Sequence, residues 1–156
     1  MTYQIELLAQ VTSLRTAGPS TRPKLHKPLL VALLLTRYIH AGHTTATYAD
    51  IADTMQHLIA QFDPPRSSRP RPVYPFWRLQ SDGFWTIRGA EKVQLTSKGD
   101  PSPRALTSEH IGSWTPAAIR QLAEGAAVPA LEAVLARYFS PTIRTQLRQE
   151  LDRLCG

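Results

Sequence analysis

Apolar residues recur along this chain at spacings that change from segment to segment, and the changes mark its elements. Tyr3, Leu7, Leu8, Val11 and Leu14 fall on one helical face, and Gly18-Pro19 breaks the pattern. Every residue from Leu29 to Leu35 is apolar, and the run continues to Ile39. This predicts a helix buried on most sides, with Pro28 in its first turn and Gly42 at its end. Thr47 and Asp50 then form a capping-box-like pair ahead of Ile51, Met55, Leu58, Ile59 and Phe62, which share one face of a third helix. Two helices flanking the short stretch 42–46 have the dimensions of a helix-turn-helix.

Prolines dominate the next stretch, Asp63-Pro-Pro-Arg-Ser-Ser-Arg-Pro-Arg-Pro72, which predicts a basic loop without regular structure. Beyond it, the aromatic-rich segments Pro75 to Leu79 and Phe84 to Ile87 flank Gln80-Ser-Asp-Gly83. Asp-Gly there reads as the turn of a β-hairpin, the wing of a winged helix. Thr115-Pro116, Val128-Pro129 and Ser140-Pro141 each place proline at a helix start, and Leu131, Val134, Leu135, Tyr138, Ile143, Leu147, Leu151 and Leu154 supply apolar faces. The expected fold is therefore α+β and mainly helical. A winged-helix-like DNA-binding core over 1–104 is followed by a helical buttress, or oligomer interface, over 105–156, in a single domain.

Charge adds direction to this picture. The 156 residues carry a formal +6, but residues 15–104 hold 13 basic and 6 acidic side chains, whereas residues 105–156 hold five of each. Arg15, Arg22, Lys24, Lys27 and Arg37 precede any intervening acid, and Arg66, Arg69, Arg71 and Arg78 form a second acid-free run. Such polarity suits a polyanionic partner, although a solvated basic face has the same composition. Arg22-Pro-Lys-Leu-His-Lys-Pro28 leads into a helix N-terminus, where backbone N–H groups and the helix dipole favour a phosphate. Phe76, Trp77, Phe84 and Trp85 read as packing residues rather than base-stacking ones.

Several chemistries are excluded or disfavoured. The sequence has no asparagine, so no complete His-Asn-His nuclease motif is present, and Glu91-Lys92 and Asp100 lack the spacing of a carboxylate-lysine nuclease triplet. His40 and His43 have no cysteine or carboxylate in register, so no metal site and no cofactor are expected. Cys155, the single cysteine, has no sequence-adjacent acid-base partner and forms no internal disulfide. No run is apolar enough to span a membrane and no signal peptide is apparent, so a soluble cytoplasmic protein without a catalytic centre is expected.

His26-Lys27-Pro28-Leu29-Leu30, followed some forty residues later by Tyr74-Pro75-Phe76-Trp77-Arg78-Leu79 and then by Asp82-Gly83 and Trp85, resembles the sulfur-binding domain of phosphorothioate-dependent, McrA-like, HNH-type restriction endonucleases. The resemblance covers roughly residues 20–90. It implies a winged-helix fold that grips duplex DNA in the major groove and a small apolar pocket for the sulfur that replaces a non-bridging phosphate oxygen. It also implies that His26 and Lys27 flank this pocket, that Tyr74 and Pro75 form its wall, and that Arg78 is either pocket edge or base reader. Arg22, Lys24, Arg66, Arg69, Arg71 and Gln80 are the accompanying DNA-binding candidates. The implied partner is double-stranded phosphorothioate DNA. A nuclease domain elsewhere in a longer protein and a homodimer remain open. The competing readings are a winged-helix transcription regulator that reads unmodified sequence through residues 48–62, and a protein-interaction module built on residues 105–154.

Overall fold

A helix with no polar side must be covered all round, and the second helix of this protein shows how. In the computed structural model, which describes residues 2–15, 24–63 and 71–156, α2 spans His26–Ala41 and every residue from Lys27 to Thr36 is buried. Helices α3 (Tyr48–Phe62), α4 (Val73–Arg78), α6 (Ala127–Tyr138) and α7 (Pro141–Cys155) pack around it. α1 (Thr2–Val11) lies against α6 and against α5 (Pro116–Gln121), and the buried Gln121 side chain accepts the Leu7 N–H at 2.7 Å. The fold is α+β and mainly helical, as expected. No helix among the described residues is long and apolar enough to cross a membrane.

The helix boundaries follow local chemistry. Gly42, with φ of 72°, ends α2 in a left-handed conformation that costs glycine nothing. α3 opens with a complete capping box, in which Thr47 Oγ1 accepts the Asp50 N–H at 3.2 Å and Asp50 Oδ2 accepts the Thr47 N–H at 2.8 Å. Ile51, Met55, Leu58, Ile59 and Phe62 form its buried face. Thr115 caps α5 ahead of Pro116, Pro141 opens α7 behind Ser140, and Pro129 sits in the first turn of α6. The chain kinks between α5 and α6 at Gly125, with φ of 104°.

The strands differ from expectation. Three short antiparallel strands, β1 (Thr45–Ala46), β2 (Trp85–Ile87) and β3 (Gly112–Trp114), form one sheet in the order β1-β3-β2. The connection from α2 to α3 is thus not a bare turn but carries a strand. The expected hairpin across Asp82-Gly83 does not form, because Val73–Arg78 is helical and Leu79–Asp82 continues it as a 3₁₀ turn. Pro75 is compatible with this, since the first turn of a helix has no internal partner for the missing N–H. Gly83, at φ 94°, ends that turn rather than linking two strands. β2 pairs instead with β3, across residues 88–111.

The aromatic residues join the helices to this sheet. Phe76, Phe84, Trp85 and Trp114 are all fully buried, with Phe84 stacked on Trp114 at 5.4 Å and Trp85 edge-on to both Trp114 and Phe76. β3 passes through this cluster only because Gly112 has no side chain. A Cβ at that position would meet Trp85 Cζ2 at 2.2 Å. Gly112→Ala is accordingly expected to destabilise the protein by about 1 to 3 kcal/mol, the usual cost of overpacking a filled core, read as a lower urea midpoint with an unchanged slope.

Candidate nucleic-acid interface

Burial forces the cations at the start of α2 to find partners. Lys27 is only 8% exposed, so an unpaired ammonium there would be costly. Its Nζ donates to Asp82 Oδ2 at 2.7 Å, while Asp82 Oδ1 accepts the Arg15 N–H at 3.0 Å. One carboxylate therefore pins the end of the α4 turn to the first turn of α2 and to the chain leaving α1. Lys27, expected to flank a sulfur pocket, has its charge matched from within the protein.

His26 is anchored similarly. Its Nε2 lies 3.4 Å from Asp63 Oδ2, the oxygen that accepts the Leu25 N–H at 2.8 Å. Burial pushes the His26 pKa down, Asp63 opposes this, and nearby Lys24 adds to the lowering, so the ring is neutral at neutral pH. Lys24 itself is exposed, and α2 has neither a side-chain N-cap nor an acid in its first turn.

The other half of the site is α4, which packs against α2. Pro75 is buried and Tyr74 half-buried, and one turn later the Arg78 guanidinium lies 4.9 Å above the centre of the Tyr74 ring. Arg78 is also forked onto Asp100, with Nε to Oδ1 at 2.8 Å and Nη2 to Oδ2 at 2.5 Å. These hydrogen bonds hold its pKa above the ordinary arginine value, against the opposing effect of burial. The Gln80 amide turns back to donate to the Trp77 carbonyl at 3.0 Å. Gln80, Trp77, Arg78, Ser81, Lys98, Gly99 and Asp100 line an open groove of about 440 Å³. Arg71 is exposed just before α4. Arg22, Arg66 and Arg69 lie outside the described residues.

The structure thus joins Lys27 to the α4 turn and stacks Arg78 on Tyr74, on two helices that touch. Three organising residues, Asp63, Asp82 and Asp100, were not legible as such. Asp82 stood out as half of a turn signal and within the family motif, but no sequence spacing links any of the three to the basic side chain it meets. Of the aromatic residues expected to pack, Phe76, Phe84 and Trp85 are fully buried, and Trp77 packs against the core while partly exposed on the groove.

Residues 4–153 match the family model described as the ScoMcrA-like DNA sulfur-binding domain. Among solved structures, the chain is similar to the sulfur binding domain of ScoMcrA complexed with phosphorothioated DNA, at 23% identity and a TM-score of 0.74, over 92% of this chain and 97% of that one. The sulfur binding domain of SprMcrA, also complexed with phosphorothioated DNA, matches at 21% identity and a TM-score of 0.64, over 96% and 95% of the two chains. The Type IV phosphorothioation-dependent restriction endonuclease ScoMcrA matches at 23% identity and a TM-score of 0.78, over 93% of this chain but only 32% of its own length. No curated protein matches the chain.

Two outcomes are expected from these pairings. Asp82→Asn leaves the buried Lys27 ammonium without its counter-charge and should cost about 3 to 5 kcal/mol in urea unfolding, whereas Lys27→Met combined with Asp82→Asn should recover much of that loss. A recovery of nothing would show that Asp82 acts through its bond to Arg15 alone. For His26, the folded pKa lies below the unfolded one, so between the two values the unfolded chain binds more protons. Stability should therefore fall as pH drops below about 6.5, and His26→Gln should flatten that slope in thermal melts recorded across the window.

Proposed function

The chain belongs to the ScoMcrA-like DNA sulfur-binding domain family, and from that membership we propose that it binds double-stranded DNA bearing a phosphorothioate, seating the sulfur in a small apolar pocket at the junction of α2 and α4. The match over residues 4–153 is the observation that carries this reading. We take the whole chain as one reading domain, since β3 lies between β1 and β2, and α6 lies along α2. In keeping with relatives that include a phosphorothioation-dependent endonuclease, it would serve as the modification reader of a restriction system and leave cutting to a nuclease domain outside this chain.

The element order favours a winged-helix reading of the core. Helix, strand, helix, helix, strand and strand follow one another as α2, β1, α3, α4, β2 and β3, with the last strand central in the sheet. In this arrangement α4 is the helix presented to the major groove and residues 88–111 form the wing. The regulator alternative, which read DNA through α3, is set aside by the family assignment.

Within the pocket, Tyr74 and Pro75 supply the apolar wall, His26 and Lys27 the flank at the α2 entry, and Arg78 the rim. Sulfur is larger and more polarisable than oxygen and a weaker hydrogen-bond acceptor, so it loses less on leaving water for such a wall. An oxygen there would be stripped of water without replacement, at about 1 to 3 kcal/mol, or roughly 5- to 150-fold in affinity. The neutral His26 and the Asp82-matched Lys27 suit this mechanism. Open cations would attract either backbone equally and leave the ratio unchanged, so the discrimination falls to the apolar wall rather than to charge. Lys24, Arg71 and, in segments outside the described residues, Arg22, Arg66 and Arg69 would hold flanking phosphates irrespective of sulfur, with Gln80 at the groove beside them.

The test is the affinity of the chain for a phosphorothioate duplex and for its oxygen twin at one salt concentration. A ratio of one in the wild type would sink the proposal. Given a preference, Pro75→Ala should reduce the ratio several-fold, consistent with about 1 kcal/mol for part of an apolar wall, while oxygen-duplex binding changes little. Parallel loss of both affinities would make Pro75 a fold residue only.

A further inference from the structure

We infer that Asp100 is a positioning residue for DNA reading: by holding Arg78 in a fork against Tyr74, it masks the charge of Arg78 and trades general attraction to DNA for discrimination at the neighbouring pocket. This deepens the proposed function and rests on it for the sulfur preference, though not for the charge masking.

Asp100 is not a casual surface acid. It is 4% exposed and ends a tight turn in which its own carbonyl accepts the Thr96 N–H at 2.7 Å and Gly99 N–H donates to Thr96 O at 2.9 Å. Leu95 and Pro101 form a β-bridge across this turn, and Gly99 adopts φ of 83°. The carboxylate is therefore fixed in place by its own backbone before it meets Arg78. Both of its oxygens are taken by the guanidinium, through Nε and Nη2. Only arginine can make this planar two-point contact, and lysine in the same place could not.

Arg78 is left with one edge bound and one edge free. Its side chain remains 46% exposed, its guanidinium covers the Tyr74 ring, and Nη1 has no hydrogen-bond partner among the described residues. An exposed arginine would ordinarily sample many rotamers and attract any phosphate within a Debye length. Here the net charge of the pair is zero, so its long-range attraction is largely cancelled. What remains is an oriented donor and a flat cationic cover on Tyr74, the residue next to Pro75. Lys98, at the tip of the same turn, and Arg71, just before α4, are exposed cations.

The experiment compares wild type, Asp100→Asn, Asp100→Glu and Arg78→Lys on matched phosphorothioate and oxygen duplexes across a salt series. Asp100→Asn is nearly isosteric but uncharged, so it should unmask Arg78. The oxygen-duplex affinity should rise at low salt, and the slope of log K against log salt should steepen by about one. The sulfur-to-oxygen ratio should fall by about three- to tenfold as Arg78 leaves Tyr74. Arg78→Lys, which keeps the charge but loses the fork, should lower the ratio likewise, and Asp100→Glu should return the slope towards wild type. An unchanged slope in Asp100→Asn overturns the proposal, and so does parallel weakening on both duplexes, which would make the pair structural. Should Asp100→Asn fail to fold, Arg78→Lys decides, since an unchanged ratio there is equally fatal. A wild type without sulfur preference would end the proposed function, yet the salt slopes would still judge the masking of Arg78 by Asp100.

Discussion

The burial of α2 on every side is the constraint from which the rest of this structure follows. A helix whose residues 27–36 are all inaccessible cannot end a layer; it must be the axis of the domain. α6 and α7 cover the side that the N-terminal elements leave open, and α3 and α4 close the remainder. The C-terminal helices therefore complete the enclosure that keeps the entry of α2 next to α4. Their buried residues, Ala130, Leu131, Val134, Leu147 and Leu151 among them, are part of the same core as Leu29 and Leu30.

A second consequence of that burial is electrostatic. The buried basic side chains at the entry of α2 are each met by an aspartate brought from a distant part of the chain, while Lys24 stays exposed. Asp63 from the end of α3 meets His26, and Asp82 from the turn after α4 meets Lys27. Asp100 meets Arg78 on the groove beside them. Runs of sequence without acids are thus not surfaces without acids. In the proposed site, what would face a ligand is a set of oriented, largely compensated groups around Tyr74 and Pro75. A site of that kind distinguishes ligands by the cost of removing their water, which is where sulfur and oxygen differ most. In that proposal, attraction to the duplex would be left to exposed cations such as Lys24 and Arg71.

Periodicity and caps were sufficient to read most helices from the amino-acid order. The uniform run from Leu29, the single face of Ile51 to Phe62, the Thr47/Asp50 box and the prolines at 116, 129 and 141 all act within a few residues, and local effects of that range are written in local sequence. The motif residues on which the family resemblance was read lie in two short runs and were legible for the same reason. Segment 75–79 was misread because aromatic content signals half-buried surface, and a short helix satisfies that as well as a strand does. β1 is only two residues long and exists through its pairing with β3, some 65 residues away, so no local pattern could announce it. The partners of Lys27 and Arg78 were likewise hidden. Sequence determined which cations there were, but whether each stays open or is matched depends on long-range packing, since the cost of leaving a charge unpaired arises only once tertiary structure has taken its water away.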